Sequence, residues 1–348
     1  VEPTEIGWEP VLDSWLKTLP PCLVPHTDKL KNLFGWLVPP CLRFVRKECK
    51  SMVTVGITET DEITKVKAMM CLMEALWVVL KEDEEKGAQV AKQLPLWIEN
   101  IFVFSLVWSI AGIIDGPSRP KFDQFFRQIC TAKAPRGYEK VDGVFGEQVM
   151  FEKFFPEEAT VFEYTFSLQK HNWITWMDTI AKEDTVIPPD AEFSSIIVPT
   201  LDTARYTSLL ETLLTHNVPL LYVGPTGTGK TAYVQKHVLK LPSDAWASIF
   251  LNFSAQTSAN QSQDIVDSKL DKRRKGVFGP PMGKRTVIFV DDLNMPALET
   301  YGAQPPIEIL RQYMDHGGWY DLKDCSFREL VDLQFVAAMG APGGGRNP

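Results

Sequence analysis

At 348 residues the chain exceeds the roughly 250 at which single cores usually stop growing, so two domains, or one large and one partial, are expected. Hydrophobic residues at 45% and charged residues at 23% exclude wholesale disorder and fibrous repeats. Thirty-six Lys and Arg against 44 Asp and Glu leave a net charge of −8, which argues against a duplex nucleic-acid binder. Any recognition of phosphate has to be local.

Cysteines at 22, 41, 49, 71, 130 and 325 form no Cys-x-x-Cys pair and no zinc spacing, which points to a reducing, intracellular compartment. The opening Val1-Glu2-Pro3-Thr4-Glu5 is acidic and lacks the plan of a signal peptide, so it reads as the interior of a longer protein. Between 58 and 82, Ile63, Val66, Met70, Met73, Trp77 and Leu80 recur at helical steps after an N-cap at Thr58 or Thr60. This predicts an amphipathic helix whose Met and Trp stripe is core. The next apolar stretch, 97–114, is broken by Glu99, Asn100, Ser105 and Ser109. From Ile101 it offers about 14 residues where a membrane span needs ~20, so a buried core helix is expected. Lys121–Ile129 continues the helical character, making 15–130 mostly helical.

The glycines and charges of 132–150 predict a loop or ragged hairpin, and the period-two alternation of Thr160–Leu168 predicts a strand. Pro188-Pro189 breaks the chain. We place a boundary near 185, dividing a mainly helical 1–185 with a short β element from an α/β region at 186–348.

The chemistry concentrates in that second region. Val218–Val223 has the length of a buried strand and leads into Gly224-Pro225-Thr226-Gly227-Thr228-Gly229-Lys230-Thr231, after which 232–239 reads as helix. This is G-x-x-x-x-G-K-T in the strand–loop–helix context of a P-loop. Its glycines let successive N–H groups converge on phosphate, and the helix N-terminus adds a favourable dipole. Lys230 would reach the β- and γ-phosphates, and Thr231 would place its hydroxyl on Mg²⁺.

Hydrolysis also needs acid at the end of a neighbouring strand. Thr286–Asp292 supplies it about 60 residues after Thr231, with Asp291 as metal partner and Asp292 beside the attacking water. Leu333–Met339 predicts a further buried strand, running into Gly340-Ala-Pro-Gly-Gly-Gly-Arg-Asn-Pro348. There Asn347 could bond the γ-phosphate or the water, or serve only as a turn residue. The base would rest on backbone around Val198 and Pro199, although residues alone show only extended chain before a helix. The basic 269–275 stretch with Lys284 and Arg285 reads as a solvated helix end and loop, without aromatics for stacking bases. Five scattered histidines offer no metal site.

Four strings now converge: the 224–231 loop, Phe-Val-Asp-Asp-Leu-Asn-Met-Pro (289–296), Tyr-Gly-Ala-Gln-Pro-Pro-Ile-Glu (301–308) and the glycine-rich terminus. Together they closely resemble the motor ring of axonemal dynein heavy chains. Residues 196–206 resemble the lead-in of that ring's third AAA+ module, and 7–127 resemble the small subdomain of the second. The resemblance implies an α/β P-loop NTPase core, a mostly parallel sheet flanked by helices, preceded by a helical lid. It further implies ATP or ADP with Mg²⁺ as ligands and the other AAA+ modules as partners. Through the parent it implies microtubules and intermediate and light chains, in the cytoskeleton and the ciliary or flagellar axoneme, with neither nucleic acid nor membrane engaged. A fifth core strand, the third module's own lid and a trans-acting arginine would lie elsewhere.

One position departs from the family. Many AAA+ modules carry Glu after the metal-binding Asp, and Asp292 retracts that carboxylate by one methylene. Slow turnover at a regulatory site follows, with a nucleotide-holding module that does not turn over as the alternative. A GTPase or helicase is disfavoured, since no Asn-Lys-x-Asp string occurs and the chain is acidic.

Overall fold

The computed structural model describes residues 6–53, 60–78, 80, 92–131, 151–180 and 200–341. Its contacts divide the chain into two compact units, Val1–Arg205 and Tyr206–Pro348.

The first unit contains helices α1 (Glu9–Leu16), α2 (Thr27–Glu48), α3 (Thr60–Leu76), α4 (Leu94–Leu106) and α5 (Arg119–Cys130). An antiparallel hairpin of β1 (Tyr164–Ser167) and β2 (Asn172–Thr175) follows. Leu30, Leu33, Phe34, Leu37, Val38, Cys41 and Val45 are buried along α2, at the three- and four-residue steps that put them on one face. Phe34 meets Phe102 of α4 edge-on at 5.1 Å, and Trp108 meets Phe162 perpendicularly at 5.9 Å. Helix α3 starts with Thr60 as its first helical residue rather than as its cap, and Val66, Met70, Met73, Trp77 and Leu80 are all buried. Thr58 lies outside the described residues, as do the 132–150 segment, Pro188-Pro189 and the expected boundary near 185.

Helix α4 runs into a π-helical turn, Val107–Ala111, and the apolar window Leu94–Ala111 is 83% buried within the protein. Glu99 and Asn100 have partners there, whereas the buried Ser105 hydroxyl has none among the described residues. Lys29 pairs with Glu99 at 2.6 Å, Asn100 donates to the Leu96 carbonyl at 2.7 Å, and the Trp173 indole donates to Asn100 Oδ1 at 2.8 Å. A buried polar group costs stability unless bonded, and these bonds let the helix carry Glu99 and Asn100 inside.

The expected strand at 160–168 is only half realised. Val161–Glu163 forms a 3₁₀ turn, and pairing starts at Tyr164. Side chains from α5 impose the difference: Arg127 donates to the Pro156 and Ala159 carbonyls at 2.7 and 2.8 Å, and Asp123 accepts the Val161 N–H at 2.8 Å. The Asp123 bond takes the Val161 N–H out of any ladder, and the Arg127 bonds hold the chain just before it.

The boundary between the units falls inside α6 (Leu201–Thr215). The second unit then proceeds through β3 (Leu220–Val223), α7 (Lys230–Lys240), β4 (Trp246–Asn252), α8 (Ala259–Asp267), β5 (Asp271–Arg274), β6 (Val277–Gly279), β7 (Arg285–Asp291), α9 (Pro305–His316), β8 (Gly318–Tyr320), β9 (Phe327–Leu330) and β10 (Leu333–Met339). The main sheet has the order β3-β10-β7-β4, all parallel. Helices cover both faces, so β7 reads as an unbroken apolar run. Val287 and Phe289 join Leu210, Leu214, Val234 and Val238 on one side, while Ile288 and Val290 join Leu310, Phe335 and Trp319 on the other.

A second sheet, β5-β6-β9-β8, gathers the two excursions before β7 and β10. It corrects the reading of the basic stretch as helix end and loop. Asp271–Arg274 is a strand paired antiparallel to β6 around Gly276, whose φ of +77° suits glycine in the turn. The strand is largely exposed, so charges occupy positions where a half-buried strand would show apolar alternation.

Replacing Asn100 by Leu strands the Trp173 indole N–H, and unfolding in urea should show a loss of about 1–3 kcal/mol. Combining it with Trp173→Phe should recover part of that loss. A double variant as unstable as the sum of the single ones would show that this hydrogen bond is not the source.

Candidate nucleotide-binding site

The site is built at the C-terminal ends of the parallel strands, where open α/β sheets place their ligands. β3 ends at Val223, the loop 224–229 follows, and α7 starts at Lys230. Gly227 and Gly229 hold φ of +82° and +83°, the left-handed region that other residues enter at a cost. At Gly229 space is short as well, since a Cβ would sit 3.0 Å from the Tyr233 ring. Gly229 is also the N-cap of α7 and offers no capping side chain. The first-turn N–H groups of a helix have no intrahelical partners, so here they are available to an anion. Residues 225–228 are exposed.

The Lys230 ammonium lies within this loop, donating to the Gly224 and Pro225 carbonyls at 2.8 and 2.7 Å. Burial pushes its pKa below the usual lysine value, and the charges of Asp291 and then Asp292 oppose that shift. The Thr228 hydroxyl donates to the Pro225 carbonyl at 2.9 Å, closing the turn.

Across the sheet, Thr231 donates its hydroxyl to Asp291 Oδ2 at 2.7 Å. Asp291 is the last residue of β7, and its other oxygen accepts the Asp292 N–H at 3.0 Å. Asp292 is exposed, with φ of +53°. Asp and Asn are among the residues that tolerate this conformation best, which gives the short acid a backbone rationale. On the far side, Asn252 stands opposite Asp291 in the β4–β7 register.

The structure thus brings Gly224 through Thr231 together with Asp291 and Asp292. Asn347, Val198 and Pro199 lie outside the described residues. Thr200 is described, and its hydroxyl accepts the Thr203 N–H at the start of α6. Sequence reasoning gave no role to Asn294, whose side chain accepts the Gly340 N–H at 3.2 Å. The available signal was an Asn two residues past the acid pair and just ahead of a proline-containing turn.

A hard divalent cation prefers oxygen ligands and, as Mg²⁺, keeps several waters while binding through one or two protein oxygens and phosphates. The Thr231 hydroxyl and Asp291 carboxylate, already in contact, fit that requirement. Among the described residues no group of three or more His, Cys, Asp or Glu gathers to make an all-protein metal site.

A family model described as "P-loop containing dynein motor region" matches residues 185–348, and one described as "Dynein heavy chain AAA lid domain" matches 30–178. Dynein axonemal heavy chain 3 of Mus musculus is 45% identical over 354 aligned residues, dynein axonemal heavy chain 12 of Rattus norvegicus 44% over 355, and dynein axonemal heavy chain 1 of Mus musculus 42% over 350. Each alignment takes in 100% of this chain but only 8%, 11% and 8% of those relatives, so the chain spans about a tenth of their length. The helical first unit, the parallel sheet with its P-loop and these likenesses lead to one conclusion: the chain belongs to the dynein heavy chain family, as part of its AAA+ motor region.

Proposed function

We propose that this segment binds Mg·ATP at the 224–231 loop and hydrolyses it slowly, as a regulatory site of a dynein motor ring. The supporting observation is the 2.7 Å hydrogen bond from Thr231 to Asp291, which unites the P-loop helix and the acidic strand end in one oxygen-rich centre. The metal supplies charge neutralisation at the phosphates. The chain's own groups do the rest. Loop and first-turn N–H groups bind phosphate oxygens, Lys230 adds a positive charge, and Thr231 and Asp291 present oxygens to the metal or its waters. Asp292 orients the attacking water and accepts its proton. Asn347 reads the γ-phosphate or that water, and backbone at Val198 and Pro199 holds the base.

In this reading 1–185 is the lid of the second ring module and 186–348 the core of the third, so the chain crosses a module junction. Other modules of the same heavy chain complete the site, one of them with an arginine. The parent acts as a microtubule motor with intermediate and light chains in the axoneme. A second reading, nucleotide held without turnover, draws support from the short reach of Asp292, and single-turnover hydrolysis separates the two.

The test sets Asp292→Asn against Asp292→Glu in the full heavy chain with its other sites silenced. Removing a general base typically costs 10²–10⁴ in rate, so Asp292→Asn should lose at least ~10²-fold in turnover while still binding ATP. Asp292→Glu keeps a carboxylate and should keep turnover within about tenfold, whether reach or backbone strain dominates. If both variants turn over like the parent, Asp292 does not carry the chemistry.

A further inference from the structure

Past β7 the chain does not simply enter solvent. It turns at Asp292, where Met295 donates its N–H to the Asp292 carbonyl at 2.9 Å, and the resulting strap of residues 292–296 is tethered to three places. Leu293 N–H donates to the Ala338 carbonyl at 3.0 Å. Asn294 Oδ1 accepts the Gly340 N–H at 3.2 Å. Gln304 Nε2 donates to the Asn294 and Pro296 carbonyls at 3.3 and 2.7 Å.

The middle tether differs from the others because of what lies on the other side of the peptide it holds. The β7–β10 ladder ends at the Val290–Ala337 pair, and β10 continues paired with β3 alone, up to Met339 opposite Val223. The Met339 carbonyl accepts the N–H of Gly224, the first residue of the phosphate loop, at 3.3 Å. The single peptide unit Met339–Gly340 therefore has its carbonyl fastened to the phosphate loop and its N–H fastened to the strap that begins at Asp292, directly after Asp291.

We infer that Asn294 is a positioning residue for the reaction proposed above, on which this inference rests: by accepting the Gly340 N–H it holds Asp291 and Asp292 in register with the loop that begins at Gly224. Its role is indirect. Its effect passes through the Met339–Gly340 peptide to the distance between the phosphate grip and the Asp292 carboxylate. That distance matters because misplacing a reacting group by ~1 Å can cost about 10²-fold in rate, and Asp292 has no extra methylene to absorb an error. A purely structural role, closing the end of β10, would instead lower binding and turnover together.

The experiment compares Asn294→Ala, Asn294→Leu and Asn294→Asp in the full heavy chain with its other nucleotide sites silenced. Two quantities are read at this site: affinity for a fluorescent ATP analogue with Mg²⁺, and the single-turnover rate of ATP hydrolysis. Asp preserves the accepting oxygen, whereas Ala and Leu remove it, Leu keeping the volume should Ala let the strap collapse. Affinity should stay within about twofold in all three, turnover should fall at least ~10-fold in Ala and Leu, and Asp should return to within about threefold of the parent. The assignment is overturned if Ala and Leu turn over like the parent, if Asp fails as they do with affinity intact, or if affinity and turnover fall together. A parent that binds ATP without a single turnover sinks the hydrolytic reading itself, and this assignment with it. A parent that turns over alongside unaffected variants sinks the assignment alone.

Discussion

The hydrogen bond from Thr231 to Asp291 is the contact on which the arrangement of the site depends. One partner is the second residue of α7 and the other the last residue of β7, so the bond fixes the helix N-terminus against the strand end from which Asp292 emerges. Both are short side chains on regular elements with little rotamer freedom, which is the placement that keeps a catalytic geometry tight. Because the two elements are far apart in sequence, the contact exists only if the sheet has its observed order.

That order puts β10 between the phosphate-loop strand and the acidic strand. The insertion is stabilised from both faces, since Val336 and Ala338 pack with the α6–α7 cluster while Leu333 and Phe335 pack with the α9 side. A parallel sheet covered on both sides buries most residues of its middle strands, so register errors would expose apolar groups and strand others against the wrong helix. Core packing thereby sets the spacing at the polar edge, and the edge inherits its precision from side chains that take no part in chemistry.

The phosphate loop was legible because all its information is local: the glycines, Lys230 and Thr231 are consecutive, and the flanking strand and helix announce themselves by periodicity. Asp291 and Asp292 were legible because β7 is an unmistakable apolar run ending in acid. Features that depend on distant partners were not. Val161–Glu163 alternates like a strand, yet Arg127 and Asp123, more than thirty residues earlier, hold the adjoining backbone in a turn. The basic 271–274 strand shows no alternation because neither face of it is core. Asn294 means little without Gly340, its partner 46 residues later. Glu99 and Asn100, by contrast, were visible in the sequence as polar interruptions of the apolar stretch of α4, and both make internal hydrogen bonds.

The central claim is that the 224–231 loop grips a triphosphate, with Lys230 supplying the one ammonium lodged among its carbonyls. Calorimetric titration of Mg·ATP into the full heavy chain with its other sites blocked tests this most directly, comparing the parent with Lys230→Ala. Hydrogen bonds to a charged group are worth about 1.5–3 kcal/mol, so the account predicts a loss of at least ~10-fold in affinity at this site. Equal affinity in the two proteins would contradict it.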